Sequence, residues 1–247
     1  MDKLIYSSLS AMRATMARQT TTANNLANIN TAGFRGEMNS SQALWMKGDG
    51  LDARAVTSGE VVSADMTEGT VTDTGRTLDV AVQGKALLAV QSREGDEGYT
   101  RRGDLQLSDS GLLTTGDGRP VLGDGGPITL PPYDKLTIAA DGTISIVPQG
   151  GDISQMQVVD RLKLVSTNGT DIAKGLDGLF RPRNGGTLAS DPEAQVRAGA
   201  LEGSNVNAAA TMIDMIEASR DWDMQVKMMS AAQDIDKAST DLMRMDN

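Results

Sequence analysis

The sequence predicts an α+β protein in which long N- and C-terminal helices flank a central antiparallel β domain. Neither glycine nor proline occurs in residues 1–32 or 204–247, so both ends of the chain are free to be helical. Most of the 27 glycines lie in residues 69–186, where short apolar runs alternate with turn dipeptides. That alternation is typical of antiparallel strands joined by tight turns.

The N-terminal segment, residues 1–35, carries one apolar stripe at helical spacing. Its members recur in steps of three, four or seven residues: Ile5, Leu9, Met12, Met16, Ala23 and Leu26. A long helix with one narrow apolar stripe is marginally stable alone and needs a partner surface. We therefore expect the large residues of this stripe to make subunit contacts.

The C-terminal segment, residues 204–247, carries a comparable seam. Its members are Met212, Ile216, Ser219, Trp222, Val226, Met229, Ala232, Ile235, Ser239 and Leu242. The spacing of three and four residues is typical of a coiled coil, and we expect the large apolar members to be subunit contacts as well.

The two ends carry opposite charge. Residues 1–35 hold four basic residues and one acid, whereas residues 206–247 hold eight acids and four basic residues. Opposite charge favours pairing of the two ends, within one subunit or between neighbours. The sequence thus predicts a coiled-coil-like polymerisation layer. The plainer alternative is that both helices cap the β domain of an ordinary α+β protein.

The middle of the chain, residues 76–185, is predicted to form one antiparallel β domain. Asp141-Gly142 lies between two alternating runs and predicts a hairpin with a type I′ turn. Residues 36–75 lack a clear period and are interpreted as an extended connector or arm, and residues 186–203 as a return connector. The predicted strands are 78–82, 86–90, 112–115, 128–130, 136–139, 143–147 and 161–165.

Composition excludes most catalytic and nucleic-acid functions. The chain has no histidine and no cysteine, which removes the commonest general base and the usual zinc ligands. A net charge of -10 opposes binding to phosphate backbones, and no apolar run is long enough to enter a membrane. We therefore predict no catalytic, cofactor-binding or metal-binding residue and no cofactor.

Two other function classes stay open on the residues alone. One is a carboxylate-based glycosidase that uses a pair such as Asp79 and Asp104. The other is a soluble β-rich binding module with helical appendages, which would be an ordered monomer.

Four segments resemble the flagellar rod and hook protein family, from end to end of the chain. They are TANNLANINTAGFR at residues 22–35, TGRTLDVAVQG at 74–84, YTRRG at 99–103 and LEGSNV at 201–206. The signature residues are Asn24, Asn25, Leu26, Asn28, Gly33, Phe34, Leu201, Glu202, Gly203, Ser204, Asn205 and Val206. The start of the chain and the Gly126-Pro127-Ile128 run resemble the proximal-rod branch of the family, and the distal-rod branch is its nearest competitor.

The resemblance implies a structural subunit of the flagellar basal body. It implies export through the flagellar type III apparatus without a cleaved signal peptide, a place in the periplasmic span, and a role in transmitting torque. Its partners would be other copies of the chain and neighbouring rod proteins, with neither nucleic acid nor membrane insertion involved.

The N-terminal signature also has a physical interpretation. The amides of Asn24, Asn25 and Asn28 are expected to bond backbone near the end of the first helix. Gly33 is expected to adopt the positive φ of a C-cap region, with Phe34 docking after it. A plain helix stop is the simpler alternative.

Overall fold

The structure is a computed structural model that describes residues 2–45, 55–151 and 156–245. The chain divides into two compact units. The first unit is drawn from Met1–Ala27, Glu37–Ser63 and Val206–Asn247, and the second from Asn28–Gly36 and Ala64–Asn205. Each unit is therefore assembled from segments that are distant in the sequence.

The first unit contains both long helices and most of a two-stranded ribbon. The elements are α1 (Asp2–Ala27), α2 (Ala208–Met245), β1 (Glu37–Trp45) and β2 (Ala55–Ala64). Helix α1 packs against α2 and against β1. The backbone N–H of Ala210 donates to Asn207 Oδ1 at 3.1 Å, so Asn207 caps the start of α2. Both terminal helices are confirmed, whereas the ribbon lies in a segment whose sequence showed no strand period.

The second unit holds the remaining strands. Their bounds are β3 (Val71–Asp73), β4 (Val80–Val82), β5 (Ala86–Gln91), β6 (Glu97–Thr100), β7 (Leu105–Leu107), β8 (Leu113–Thr115), β9 (Leu122–Gly123), β10 (Gly126–Pro127), β11 (Tyr133–Ile138), β12 (Thr143–Pro148), β13 (Gln157–Arg161), β14 (Leu164–Ser166), β15 (Ile172–Lys174), β16 (Phe180–Pro182), β17 (Val196–Ala198) and β18 (Ala200–Glu202).

These strands form antiparallel sheets, as the sequence predicted. The largest sheet has the order β14-β5-β6-β16-β15, and a second sheet has the order β11-β12-β13. Four two-stranded pairs complete the unit: β3 with β18, β4 with β17, β7 with β8, and β9 with β10. Strands β17 and β18 lie in the predicted return connector, so this stretch contributes two strands to pairs formed with the start of the unit.

Strand β5 shows why the core forms where it does. It reads as a continuous apolar run because both of its faces are covered. Leu88 and Val90 belong to the main hydrophobic cluster, whereas Leu87 and Ala89 belong to a second cluster with Tyr99. Successive side chains of a strand point to opposite faces, so one strand serves both clusters.

Three local predictions are wrong. The predicted strand 161–165 is divided, because β13 ends at Arg161 and β14 begins at Leu164 in another sheet. Residues 128–130 form no strand but contribute a single bridge between Thr129 and Leu112, although Ile128 and Leu130 are buried. The hairpin at Asp141-Gly142 exists, but only Gly142 has a positive φ, of 85°, so the turn is not type I′. A backbone hydrogen bond from the Ala139 N–H to the Thr143 carbonyl closes a longer loop. In this loop Asp141 does not adopt the left-handed conformation that a type I′ turn would require.

Candidate functional site in the helix pair and the signature junction

The buried side chains of the two helices of the first unit are small. Among the described side chains, those of α1 are Ser8, Ala14, Thr21 and Thr22, and those of α2 are Thr211, Ala218 and Ala232. Half-buried residues fill the steps between the α2 positions, so its covered face reads Thr211, Met215, Ala218, Trp222, Gln225, Met229 and Ala232. The covered positions are spaced alternately by four and three residues, as in a heptad pattern, and the fully buried ones among them are small.

The predicted seam of α2 agrees with the covered face only in part. Trp222, Met229 and Ala232 lie on it, whereas Met212 and Ile216 follow its members Thr211 and Met215 by one residue and are exposed. One residue corresponds to about 100° around a helix, so these side chains point away from the covered face. Periodicity marks apolar residues on any face and does not reveal which face the chain itself covers.

The predicted subunit-contact residues consequently fall into three groups. Leu9, Met16, Met212, Ile216, Val226 and Ile235 are between 39% and 60% exposed. Met12, Leu26, Trp222 and Met229 are half-buried. The side chains of Ile5 and Leu242 lie outside the described part of the structure. Contact with another subunit stays a prediction for all of them.

Opposite charges do meet between the two helices. Arg18 lies 3.6 Å from Asp214, 3.6 Å from Glu217 and 3.9 Å from Asp221. All four side chains are substantially exposed, so these pairs contribute register more than stability. Part of the predicted pairing between oppositely charged ends therefore occurs within one chain.

The signature asparagines of α1 bind the first strand. Asn25 donates to the Glu37 carbonyl at 2.9 Å and accepts from the Glu37 N–H at 2.8 Å, so its amide acts as a neighbouring strand would. Asn24 donates to Glu37 Oε1 at 2.8 Å. The backbone that Asn25 bonds is that of β1 and not the helix end that the sequence suggested.

Gly33 has the predicted positive φ, of 64°, for a different reason than capping. Helix α1 ends at Ala27, six residues earlier. The Gly33 N–H donates to the Glu202 carbonyl at 2.7 Å, and a Cβ at this position would lie 2.2 Å from the Arg101 carbonyl oxygen. Glycine is required because two other segments approach its backbone closely.

A buried ion triad lies beside Gly33. Glu202 Oε1 accepts from Arg35 Nη2 at 2.6 Å, and Glu202 Oε2 accepts from Arg101 Nε at 2.8 Å. The Gly69 N–H adds a bond to Glu202 Oε1 at 2.9 Å. The three charged side chains are at most 2% exposed. The triad joins the N-terminal signature, the YTRRG segment and the C-terminal signature, which are the segments that the resemblance singled out.

The rest of the Arg101 guanidinium is held by backbone. It donates to the carbonyls of Val82 at 2.7 Å and Ala86 at 2.9 Å, and also to that of Gly84. Burial lowers the pKa of Arg101, and the Glu202 carboxylate opposes this shift. A guanidinium remains charged under such conditions. Arg101 is therefore a permanently charged, buried cation that donates to one carboxylate and three carbonyls.

Asn205, in the C-terminal signature, bonds three backbone groups of the second unit. Its Oδ1 accepts from the Gly36 N–H at 2.8 Å, and its Nδ2 donates to the carbonyls of Asp65 at 2.9 Å and Thr67 at 3.1 Å. Gly203 donates to the Thr70 carbonyl at 2.8 Å. The LEGSNV segment therefore binds residues 36 and 65–70 of the second unit through both side-chain and backbone hydrogen bonds.

The Phe34 ring contacts Lys174. The ammonium of Lys174 lies 3.8 Å from the centroid of the Phe34 ring and donates to the Arg35 carbonyl at 3.0 Å. A cation at this distance from an aromatic face is attracted by the ring. Nothing in the sequence pointed to Lys174, since it lies 139 positions from Arg35.

The carboxylates considered for catalysis have structural partners. Asp79 accepts from Arg76 Nε at 2.9 Å and from the Thr74 hydroxyl at 2.7 Å. Asp104 accepts from Nε and Nη2 of Arg102, which form one edge of the guanidinium, at 2.7 and 2.8 Å. These bonds stabilise turns around β4 and β7. The described residues contain no cluster of acidic side chains able to hold a metal ion. Within that part of the chain, no helix is both long and apolar enough to cross a membrane.

Three family descriptions match successive parts of the chain. They are "Flagella basal body rod protein" at residues 5–35, "Flagellar hook protein FlgE/F/G D1 domain" at 81–146 and "Flagellar basal body rod FlgEFG protein C-terminal" at 197–242. The matches cover α1 with its signature, the early strands of the second unit, and the LEGSNV segment with α2. Fold and matches together define the class of flagellar axial proteins.

Relatives of known name cover the whole chain. FlgF of Escherichia coli K12, a flagellar basal-body rod protein, is 43% identical over 95% of each chain, and FlgF of Salmonella typhimurium LT2 is 41% identical over 99% of this chain and 100% of its own. The rod protein FlgG of Bacillus subtilis is 28% identical over 95% of this chain and 97% of its own. The chain belongs to the flagellar basal-body rod protein family, and it is a structural protein and not an enzyme.

Proposed function

We propose that this chain is a subunit of the proximal rod of the flagellum, where its terminal helices polymerise with other copies and with neighbouring rod proteins. The observation that carries the proposal is the distribution of side chains on the helix pair. The buried positions of the two helices are small residues, whereas six large apolar residues that were predicted to make subunit contacts are exposed.

This distribution favours assembly on energetic grounds. Each large aliphatic or methionine side chain that leaves water contributes roughly 1.5 to 3 kcal/mol. Six of the predicted contact residues are at least 39% exposed in the single chain, so much of that energy is available only to an assembly. Contiguous exposed apolar surface is typical of protein interaction sites. A coiled-coil-like layer of such helix pairs would bury it.

The narrow apolar stripe of α1 also supports the proposed route and location, because a long helix with such a stripe is marginally stable without a partner surface. Segments that order only on docking can pass through the type III export apparatus unfolded and without a cleaved signal peptide. They would then fold at the growing tip, in the periplasmic span of the basal body. The second unit, with its buried core and triad, would give the shaft the rigidity that torque transmission needs.

Relatives favour the proximal rod over the distal rod. The FlgF relatives of Escherichia coli and Salmonella typhimurium are 43% and 41% identical to this chain, while the FlgG relative of Bacillus subtilis is 28% identical. A role like that of FlgG, at a different position along the shaft, is the second candidate.

The test is electron microscopy of basal bodies from cells that lack this gene and are complemented with variants. Leu9→Glu and Met16→Glu place charge on the outer face of α1 without touching its seam. We expect rods that stop short with these variants and complete rods with Gln19→Glu, a control on an exposed polar residue of the same helix. Circular dichroism of the purified variants verifies that each one folds.

Complete rods and hooks with every variant, and also in cells without the gene, would contradict the proposal. That result, together with an ordered monomer at high concentration, would favour a β-rich binding module. Rods that are short without the gene and with the Leu9 and Met16 variants, but complete with the natural chain and with Gln19→Glu, would support a rod subunit that assembles through its terminal helices.

A further inference from the structure

Two Asn-Gly dipeptides of the second unit take no part in the helix pair or the signature junction. They are Asn168-Gly169, in the loop between β14 and β15, and Asn184-Gly185, which follows β16. All four residues are exposed. In such a dipeptide the glycine nitrogen can attack the side-chain amide of the asparagine, because glycine has no Cβ to block the approach. The two sites have the same reacting groups, so their surroundings decide which of them reacts.

The nitrogen of Gly185 is held by a hydrogen bond. Its N–H donates to the Pro182 carbonyl at 3.0 Å. The nitrogen must lose its proton to become a nucleophile, whereas this bond retains the proton and fixes the direction of the N–H. Glycines of three Asp-Gly turns are bonded to carbonyls in the same way, namely Gly118, Gly142 and Gly178. Asn184-Gly185 is therefore protected by its own turn.

The nitrogen of Gly169 is not held in this way. Its turn is closed one residue later, where the Thr170 N–H donates to the Thr167 carbonyl at 3.2 Å. Among the described residues, neither the Gly169 N–H nor the side-chain amide of Asn168 has a hydrogen-bond partner. No atom lies within 4 Å of the place that a Cβ of Gly169 would occupy. Both reacting groups are thus exposed and unrestrained by bonds to described residues.

We infer that Asn168 is a deamidation site, and that it reacts in the folded chain while Asn184 is protected. The Gly169 nitrogen forms a bond to Cγ of Asn168, and the side-chain nitrogen leaves as ammonia with the proton that the glycine nitrogen has lost. Water then opens the resulting succinimide at one of its two carbonyl groups. The products are aspartate and isoaspartate, and water is the only co-reactant.

The reaction changes the charge and the backbone of this loop. Each product has a carboxylate in place of a neutral amide, so the net charge of -10 becomes more negative by one unit. Asn168 lines a surface depression together with Lys85, Asp191 and Glu193, and this depression gains a third acid. Isoaspartate also adds a methylene group to the main chain of the turn. Deamidation therefore makes this part of the second unit more acidic and alters its loop.

Peptide mapping by mass spectrometry compares the two sites in one sample. The purified full-length chain is incubated in mildly alkaline buffer and digested with trypsin, which releases peptides 164–174 and 184–197. We expect Asn168 to deamidate at least about fivefold faster than Asn184, the factor that one hydrogen bond of ordinary strength confers. In concentrated urea the bond to Pro182 is lost, and the two rates should become similar. A sample digested without incubation corrects for reaction during digestion.

Substitution of each asparagine gives an independent measurement. Isoaspartate in the aged full-length chain is quantified with an isoaspartate methyltransferase and a labelled methyl donor. Asn168→Gln should remove most of the signal, because glutamine would have to close a larger ring. Asn184→Gln is the matched control and should remove little of it.

Three results would overturn the inference. The first is an equal or faster reaction of Asn184 in the folded chain. The second is an isoaspartate signal that Asn168→Gln leaves undiminished. The third is a difference between the two sites that persists unchanged in urea, since it would assign the preference to neighbouring residues in the sequence and not to the bond at Gly185. None of these results would affect the proposed function, which depends on the terminal helices.

Discussion

At the scale of the residue, Glu202 is the centre of the buried ion triad. Its carboxylate holds Arg35 and Arg101, all three side chains being at most 2% exposed. Removing one partner of a buried ion pair leaves an uncompensated charge, whereas the intact pair itself adds little stability. The triad therefore specifies how the segments join more than it strengthens the fold.

Glu202→Gln should lower the free energy of unfolding by about 3 to 5 kcal/mol, because two buried guanidinium groups lose their counterion. Urea titration of the full chain measures this change. The control is Glu193→Gln, on an exposed residue of the same unit, which should shift the free energy by less than about 0.5 kcal/mol. Equal effects of the two substitutions would refute the structural role of the triad.

Gly33→Ala should destabilise more than the same change at Gly118. Both glycines have positive φ, 64° and 80°, so both substitutions incur the left-handed strain of about 1 to 2 kcal/mol. A Cβ at residue 33 would also lie 2.2 Å from the Arg101 carbonyl oxygen, whereas nothing lies within 4 Å at residue 118. Thermal unfolding of both variants gives the difference, and indistinguishable midpoints would show that the close approach is unimportant.

At the scale of the element, the helix pair depends on small residues at its seam. Ala218 is fully buried on α2, and Ser8, Ala14 and Thr21 are buried on α1. Small buried side chains allow two helices to approach closely, and several of the large apolar residues are exposed on outer faces. The same distribution of side chains therefore gives both the covered face between the helices and the proposed assembly surface.

Ala218→Leu should destabilise the helix pair by about 1 to 3 kcal/mol, because the seam has no room for a larger side chain. The helical circular dichroism signal, followed through thermal unfolding, reports this loss. Ala231→Leu adds the same atoms at an exposed position of α2 and should be nearly neutral. A neutral Ala218→Leu would show that the seam is not closely packed.

At the scale of the whole molecule, several carboxylates of the second unit make its stability depend on pH. Hydrogen bonds and charge from Arg181 lower the pKa of Asp177, and bonds from Thr143 lower the pKa of Asp141. Burial raises the pKa of Asp117, but Thr115, Arg102 and Arg119 lower it by more. In each case the folded state binds protons less readily than the unfolded state does.

The protein should therefore lose stability in acid. The stabilisation from these groups is fully present above the pKa of an unfolded aspartate, about 3.9, and is lost as pH falls through the lower folded values. Asp177→Asn should be less stable than the natural protein near neutral pH and should lose less stability between pH about 5 and about 2. Thermal unfolding over this range measures both effects. Asp124→Asn, at an exposed residue, should leave the profile unchanged.

Local features of this protein were predictable from its sequence. The absence of glycine and proline at both ends and the repeat of three and four residues suffice for α1 and α2, since helix formation depends on nearby residues. Glycines at turns, including Gly142, marked the loops of the β unit. The strands β1 and β2 were missed because their residues show no alternation, and β17 and β18 because each has only three residues; such strands owe their form to the partner strand.

The sequence by itself determined the two terminal helices, the antiparallel class of the middle region and the family to which the chain belongs. Only the tertiary structure decided that Arg35 and Glu202, 167 positions apart, share a buried site with Arg101. It also decided which face of α2 its own chain covers. The triad and the covered face both depend on contacts between residues that are distant in the sequence. Burial and charge compensation decide these contacts, and local spacing carries no information about them.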